Sequence, residues 1–206
     1  MNSQQVSDDA ADLAALGIGA GALQGLSSVT APPVTPEHPR IRSAAVDDAS
    51  LLAAVVAGSV VDPEIPVLTI ADLGVLRRVQ VHPDGSVDVD ITPTYSGCPA
   101  IAAMSTDIRC ALGRAGHPIV RVGTVLSPAW TTDDMTKAAG EVLRRFGIAP
   151  PGPASRARVV ALELTVRCPR CGSRNTRESS RFGSTSCKSM WSCADCREPF
   201  DHFKAL

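Results

Sequence analysis

The pattern of apolar and polar residues predicts regular structure only after the first 44 residues. From Asp47 the chain reads DDASLLAAVVAGSVVDPEIP, with apolar residues at helical spacing and Asp47 as the expected N-cap. Pro63 ends this helix, because it lacks an amide hydrogen and keeps Asp62 out of the helical region. The side chains expected to face the core are Leu51, Leu52, Val55 and Val56.

Two segments of alternating polarity follow and predict a β-hairpin. Val79 and Val81 alternate with polar or charged residues, and so do Val87, Val89 and Ile91. A Pro-Asp-Gly turn joins the segments, so the hairpin should expose one face to water.

A helix and a third strand are expected next. Pro99 suits the first position of the helix, because its missing N–H would have no partner there. The expected strand covers residues 119–126, and a strand–helix–strand passage favours a parallel crossover. The buried stripe of the helix is predicted at Ile101, Met104, Ile108 and Leu112.

A further helix is predicted from about Thr132 to Phe146, with Gly147 as its C-terminal glycine. Its inward positions are expected at Met135, Ala139, Val142 and Phe146. The predicted fold class is therefore α+β: a small mixed β-sheet with helices packed on it, followed by a C-terminal four-cysteine zinc-ribbon module.

That module is predicted from two CxxC pairs, CPRC and CADC, separated by 21 residues. Each pair can form a turn whose two thiolates point at one ion, and two pairs complete a tetrahedral shell. Because four protein ligands close the shell, one structural zinc ion per chain is expected. Iron in a rubredoxin-like site and two redox disulfides are the alternatives. The predicted ligands are Cys168, Cys171, Cys193 and Cys196.

Composition divides the chain into four segments. Residues 1–44 are rich in Ala, Gly, Ser and Pro and are expected to form a flexible arm. The α+β domain should cover 45–149, a Pro-rich linker 150–157, and the ribbon module 158–206. Cys187 and His202 lie in the last segment, either as extra ligands or, more simply, as packed or exposed neighbours of a complete four-ligand set.

Charge, hydropathy and missing motifs disfavour several classes of function. The formal net charge is −1 and the aromatic fraction 3%, which favours neither nucleic-acid nor membrane binding, although the ribbon module is locally basic. A positive n-region and a long apolar span are both missing, so the cytoplasm is the expected location. The sequence lacks a paired ExxH for a di-iron bundle and a GxGxxG for a nucleotide fold.

Cys98, in TPTYSGCPA, is the remaining candidate for chemistry. At a helix N-cap, backbone N–H groups and the helix dipole would favour its thiolate. A buried cysteine acting as a small apolar residue is the alternative, and spacing does not separate the two. Cys110, off the main stripe of the same helix, is read as structural.

Four motifs together resemble the PaaD (PaaJ) family of the phenylacetyl-CoA epoxidase system. They are DPEIPVL at 62–68, TPTYSGCPA at 92–100, SPAWTTDDM at 127–135, and the tail CPRCG…FGSTSCKSMWSCADCREPFDHFK. The resemblance covers residues 46–206. The central domain is also similar to the iron–sulfur assembly domain of SufT.

The resemblance implies an accessory factor for the oxygenase that epoxidises phenylacetyl-CoA. It would assist an iron–sulfur or di-iron centre to mature, with oxygenase and reductase subunits as partners and iron or a cluster bound transiently. Cys98 matches the cysteine proposed for cluster handling, and the supporting loops would provide Asp62, Glu64, Thr94 and Ser96. One cysteine is too few for a cluster, so a homodimer or partner ligands would be required.

Two other hypotheses remain open. A non-catalytic adaptor subunit of the oxygenase complex would be indifferent to Cys98. A thiol enzyme would use Cys98 as its nucleophile, and His82 or His117 would have to approach it in the fold.

Overall fold

Helix α1, Asp48–Gly58, opens the part of the chain that the computed structural model describes, residues 47–152 and 166–205. All of these residues fall within one compact unit. The predicted arm (1–44) and residues 153–157 of the predicted linker lie outside the described residues. In the described part, no helix is both long and apolar enough to cross a membrane.

The start of α1 is as predicted, but its buried face is not. The Asp47 carboxylate accepts a hydrogen bond from the Ser50 N–H at 2.6 Å, which confirms the N-cap. The core-facing side chains are the small ones, Ala53 and Ala57. The prediction was wrong for three of the four large residues, which are exposed: Leu51, Leu52 and Val55.

Packing explains this difference. Strand β1, Leu76–Val81, contacts α1 directly, and the Val81 N–H donates to the Ser50 hydroxyl at 3.0 Å. Small side chains on the facing side of a helix allow such a close approach.

The first sheet has the predicted mixed topology. Strand β1 pairs antiparallel with β2, Val87–Ile91, and β2 pairs parallel with β3, Val120–Thr124. Helix α2, Ala100–Arg114, makes the crossover between the two parallel strands. Helix α2 contacts both β3 and α1, so the two helices share one face of the sheet.

Helix α2 begins at Ala100, one residue later than expected, with Pro99 at its N-cap. The apolar stripe is confirmed at Met104, Ile108 and Leu112, all fully buried, whereas Ile101 is half-buried. The sequence periodicity therefore identified the correct face of this helix.

The predicted helix over 132–146 is interrupted. A 3₁₀ turn, Thr132–Asp134, precedes helix α3, Lys137–Arg145. Asp134 accepts a hydrogen bond from the Thr131 N–H and pairs with the buried Arg77 guanidinium at 3.0 Å. These interactions close the first turn, and a new N-cap restarts the helix.

That restart changes the side chains that face inward. The Thr136 hydroxyl accepts from the Ala139 N–H at 3.2 Å and caps α3. Ala139 and Leu143 are buried, whereas Phe146 is 57% exposed, so Phe146 was wrongly predicted to face inward. Gly147 has a φ of 79°, as expected for a C-terminal glycine.

The second sheet joins the ribbon module to the end of α3. Its strands are β4, Ile148–Ala149; β5, Thr176–Ser180; β6, Lys188–Cys193; and β7, Pro199–Phe203. The order is β4-β7-β6-β5, and β4 is parallel to β7. Backbone pairing thus crosses the predicted boundary at 149/150, and the domain boundaries stay a prediction.

The main core also draws side chains from the ribbon. Phe203 is fully buried in it and meets Trp130 edge-on, with ring centroids 6.1 Å apart. The Trp130 indole N–H donates to the Leu73 carbonyl at 2.8 Å. Cys187 belongs to the same cluster. The ribbon therefore packs against the central domain through buried side chains.

Candidate metal-handling sites

Two CxxC turns bring four sulfur atoms together, as their spacing predicts. All four Sγ atoms lie within 4.8 Å of one another. The Cys168–Cys196 pair is 3.7 Å apart and the Cys171–Cys193 pair 3.6 Å. Sulfurs bound tetrahedrally to zinc at about 2.3 Å would be about 3.8 Å apart. The donor set therefore fits a structural metal ion.

The two turns share two backbone features. The residue after the second cysteine has a positive φ in each: 76° at Gly172 and 63° at Arg197. Two residues after that cysteine, the N–H of Ser173 or Glu198 donates to its sulfur. A positive φ lets the backbone fold back over the sulfur, and glycine adopts it without steric cost.

Backbone N–H groups donate to both sulfurs of the second turn. Hydrogen bonds from the Cys196 and Asp195 N–H groups lower the pKa of Cys193 to about 7. The Glu198 N–H acts in the same direction on Cys196, but burial and the three other thiols outweigh it and raise the pKa of Cys196 to about 12. Asp195 in turn accepts hydrogen bonds from Ser173 and Asn175 beside the first turn. These contacts link the two turns and preorganise the ligands.

The acidic loop DPEIPVL is organised by its first residue. Asp62 is buried, and its carboxylate accepts the N–H groups of Glu64 at 2.7 Å and Ile65 at 3.0 Å. Burial raises the pKa of Asp62, although the two N–H groups oppose this shift. Asp62 therefore shapes the loop that presents Glu64.

Glu64 lies against the ribbon module. Its Oε2 is 3.8 Å from the Cys187 sulfur, and its backbone carbonyl accepts from Lys188 Nζ at 3.4 Å. Burial raises the pKa of Glu64, and the neighbouring Asp62 carboxylate adds to this effect. This carboxylate is therefore held beside a thiol of the ribbon.

Cys98 is half-buried in the loop before α2. Its N–H donates to the Tyr95 carbonyl at 3.2 Å, and the N–H groups of Ala100 and Ile101 point at its sulfur. Burial nevertheless raises the pKa of Cys98, and the Glu64 and Asp62 charges raise it further. The predicted N-cap position of Cys98 is wrong by one residue, because Pro99 is the N-cap. Backbone N–H groups still reach the Cys98 sulfur, but burial and the two carboxylates outweigh them and favour the protonated thiol.

Tyr95 connects the two loops. Its phenol interacts with the Ser186 side chain, and burial raises the pKa of Tyr95, with Glu64, Cys98 and Cys187 adding to the shift. In the same loop Thr94 is half-buried and Ser96 exposed. Among the described residues neither hydroxyl bonds to the Cys98 sulfur, and their roles stay predictions.

The three histidines considered as partners of Cys98 or as ribbon ligands contact other groups. His82 pairs with Asp88 at 2.8 Å, and His117 lies 3.3 Å from the Gly85 carbonyl. His202 is buried, with its ring edge-on to Trp191, and burial lowers its pKa to about 4. His202 lies outside the four-sulfur cluster.

Sequence reasoning missed the position of Cys187. It was set aside because the four-ligand set was complete, yet it lies beside the acidic loop rather than beside the ribbon cysteines. The only available signal was its motif, FGSTSCK, which forms part of the tail that resembles the family.

Comparison with known proteins agrees with the two-part architecture. A model of the PaaD zinc β-ribbon domain matches residues 153–204, and a model of iron–sulfur cluster assembly proteins matches residues 57–126. The second match contains Cys98 and the acidic loop, and the first contains all four ribbon cysteines.

Two relatives are similar to less than half of the chain. An iron–sulfur protein maturation auxiliary factor of Porphyromonas gingivalis is 37% identical over 39% of this chain and 77% of its own length. The SufT maturation factor of Staphylococcus aureus is 33% identical over 39% of this chain and 91% of its own length. These relatives match only part of this chain.

A protein of Escherichia coli K12, whose provisional name makes it one of the subunits of 1,2-phenylacetyl-CoA epoxidase, is similar over a longer stretch. It is 51% identical over 145 residues, which are 70% of this chain and 86% of that protein. With the matching ribbon model, this similarity shows that the chain belongs to the PaaD family.

Proposed function

We propose that the chain is an accessory factor for phenylacetyl-CoA 1,2-epoxidase in aerobic phenylacetate degradation. It assists the maturation of an iron–sulfur or di-iron centre and is not itself the oxygenase. Support comes from the E. coli relative, whose name refers to that epoxidase, and from relatives named as iron–sulfur maturation factors. The factor acts in the cytoplasm, where thiols stay reduced.

The observation that carries this proposal is the setting of Cys98. It lies within the segment matched by the cluster-assembly model, and the Asp62 and Glu64 carboxylates act on its sulfur electrostatically. Thiolate and carboxylate are both ligands for iron. So few protein ligands would leave coordination positions open for a client protein, as transfer of iron cargo requires. Thr94 and Ser96 would support the loop by hydrogen bonding.

We assign one structural zinc ion to the ribbon. The four-sulfur geometry fits zinc, and a closed tetrahedral thiolate shell has no position open for chemistry. Iron accepts the same geometry and is the alternative. Metal analysis of the purified chain distinguishes the two.

Oxygenase and reductase subunits of the epoxidase are the proposed partners. A bound cluster would need ligands from a partner or from a second copy of the chain, because Cys98 alone cannot hold one. Cluster transfer would then take place in a complex, with Cys98 at the contact.

The test is to co-express the epoxidase components with wild-type chain or with Cys98→Ser. The expected result is a folded, zinc-containing variant whose oxygenase or reductase is under-loaded with iron. Cys110→Ser is the matched control, because Cys110 is exposed on α2. A fully iron-loaded and active epoxidase made with Cys98→Ser would refute the assembly role.

An adaptor subunit is the second candidate, because the E. coli relative is named as a subunit of the epoxidase. It predicts stable co-purification with the epoxidase in a fixed ratio and no response of client iron content to Cys98→Ser. The same co-expression experiment therefore separates the two functions.

A further inference from the structure

Strand β3 forms one edge of the first sheet in the part of the chain that the structure describes. On its inner side it bonds to β2; the Val125 N–H, just after the strand, donates to the Ile91 carbonyl at 2.9 Å. Backbone groups of successive strand residues point to opposite sides, and the groups that face away from β2 belong to Val120, Val122 and Thr124. Such a row of outward N–H and C=O groups is a template for another strand.

The other sheet edges in the described ranges are shorter, irregular or partly covered. At β1 the Val81 N–H donates to the Ser50 hydroxyl of α1 at 3.0 Å. Strand β5 has a register shift between Glu178 and Ser180, and β4 has only two residues. Irregular or very short edge strands discourage pairing. Strand β3 keeps an unbroken register with β2 and contains no proline or lysine, so it is the edge best suited to pair.

The sequence of β3 fits a second copy of itself in one antiparallel register. With Val122 opposite its counterpart, Val120 lies opposite Thr124 of the partner subunit, and every outward N–H finds a carbonyl. Arg121 then lies opposite Gly123 of the partner subunit. A register that placed Arg121 opposite its own counterpart would bring like charges together. A register centred on Gly123 would leave fewer of the outward groups paired.

Charge complementarity supports the first register. The Arg121 side chain is 62% exposed and bonds to Asp88 at 3.1 Å. Asp90 pairs with Arg78 at 2.8 Å, and its Oδ1 lies 3.1 Å from the place that a Cβ would take at Gly123. Because Gly123 has no side chain, the Asp90 carboxylate extends over it toward the free edge. A second copy would bring its own arginine beside Gly123 and so beside this carboxylate.

Apolar side chains at the same edge would be covered as well. Val120 and Val122 pack against the main core but are only half-buried, so α2 covers β3 in part. Ile119, directly before the strand, is 52% exposed. In the same register Ile119 faces Val125 of the partner subunit, across the solvent side of the sheet. Pairing would therefore extend the core and remove apolar surface from water at both ends of the strand.

We propose that residues 119–125 form the interface of a homodimer, in which two β3 strands pair antiparallel and join the two sheets into one. The inference goes beyond the proposed function and does not rest on it. It has a consequence for the Cys98 loop, which lies at the end of the sheet where β2 ends. A two-fold axis at Val122 reverses the strand direction, so the two Cys98 loops lie at opposite ends of the joined sheet. Ligands that complete a cluster at Cys98 would then come from a client and not from the second Cys98.

The test is sedimentation equilibrium of the full zinc-loaded chain from about 1 µM to about 100 µM. Wild type is expected to be a reversible dimer. Val122→Pro should be monomeric at every concentration, because proline removes the outward N–H at the centre of the interface yet is tolerated on the open side of an edge strand. Val122→Thr is the matched control, since it keeps the N–H and the branched side chain, and it should dimerise as wild type does.

A charge variant tests the register. Arg121→Gln should raise the dissociation constant of the dimer about fivefold, because each interface contains two exposed ion pairs with Asp90. Arg174→Gln, which makes the same change at an exposed position of the ribbon module, should leave the constant unchanged. A dimer that is indifferent to Arg121→Gln would overturn the register.

Amide hydrogen exchange of wild type covers a failure of Val122→Pro to fold, which zinc content and circular dichroism would reveal. The outward N–H groups of Val120, Val122 and Thr124 should gain at least about tenfold protection as the concentration rises. Those of Arg121 and Gly123, which face β2, should be protected throughout.

Three results would overturn the inference. They are a monomer over the whole range, a dimer that persists in folded Val122→Pro, and exchange at β3 that does not depend on concentration. If the chain is a monomer whose outward amides become protected only when epoxidase subunits are added, the edge pairs with a client strand and not with a second copy. Client iron loading in the co-expression experiment decides the proposed function separately in every case.

Discussion

The four-cysteine cluster and the Cys98 loop are both thiol sites, but they differ in the number of sulfur ligands that the structure brings together. In the ribbon, four sulfurs converge within 4.8 Å, and backbone N–H groups donate to the sulfurs of Cys171, Cys193 and Cys196. At Cys98, burial raises the pKa of a single thiol, and two carboxylates raise it further. The ribbon therefore presents a complete tetrahedral set of ligands, whereas the Cys98 loop presents one thiol.

Under the proposed function, the ribbon would hold its ion permanently and the Cys98 loop would exchange an ion. A complete four-thiolate shell has a high affinity and no open position. A single thiol that must lose a proton would bind an ion more weakly and could release it to a better set of ligands. The predictions below separate the two sites and measure how far they depend on each other.

The largest effect is expected from Cys171→Ala. Cys171 is exposed, so its removal opens no cavity and reports the loss of a ligand alone. We expect loss of the ribbon ion and of several kcal/mol of stability, because metal binding supplies much of the folding free energy of such modules.

Hydrogen exchange and zinc content measure this loss. Protection should fall in β5–β7 and also in the central domain, because Phe203 and Cys187 belong to the main core. Cys110→Ala is the control. Full protection of β1–β3 in a metal-free variant would mean that the two parts fold independently.

Phe203→Ala tests the same dependence without touching a thiol. Removing a fully buried phenylalanine should cost about 3–5 kcal/mol. Phe182→Ala is the matched control within the ribbon, because Phe182 is 68% exposed and Lys204 Nζ lies over its ring at 5.0 Å from the centroid. The loss of this exposed cation–π pair should cost about 0.5 kcal/mol. Denaturant unfolding gives both values, and equal costs would contradict the shared core.

Acid should lower the free energy of unfolding, because His202 of the ribbon module is buried in its neutral form. Its folded pKa is about 4, below the unfolded value near 6.5, so the unfolded state binds more protons between these values. Stability is full above pH 6.5 and should fall by roughly 2–3 kcal/mol as the pH drops toward 4. Denaturant unfolding in excess zinc should show a shallower pH dependence for His202→Gln, and parallel profiles would exclude this role.

The smallest effects concern the two CxxC turns. Gly172→Ala should cost about 1 kcal/mol, because a Cβ there meets no atom within 4 Å and only the positive φ is penalised. Arg197→Gly, at the equivalent position, should stay within about 0.5 kcal/mol of wild type. Thermal unfolding of zinc-loaded protein measures both. A larger loss for Arg197→Gly would reveal a role for its side chain.

Elements with a clear local pattern were predictable from the sequence. The hairpin, the α2 stripe and the parallel crossover follow from periodicities of two and of 3.6 residues, which depend on neighbouring residues only. The four ribbon cysteines were predictable for a similar reason, because two CxxC pairs define a ligand set by themselves.

Features that depend on packing between distant segments were not predictable. Helical spacing predicts the large side chains Leu51 and Leu52 on the inner face of α1, but the close approach of β1 favours the alanines there. The buried Arg77–Asp134 pair, 57 residues apart in sequence, breaks the helix expected after Thr132. The contact of Cys187 with Glu64 spans 123 residues and has no local signature.

Strand β6 separates Cys187 from the ribbon's ligand set. Cys187 directly precedes the strand and Cys193 ends it, so six residue steps at about 3.3 Å place the two residues about 20 Å apart. A sulfur at that distance cannot take the place of one removed from the ribbon. Cys187 therefore offers no substitute ligand in a variant such as Cys171→Ala, although it is a cysteine of the same module.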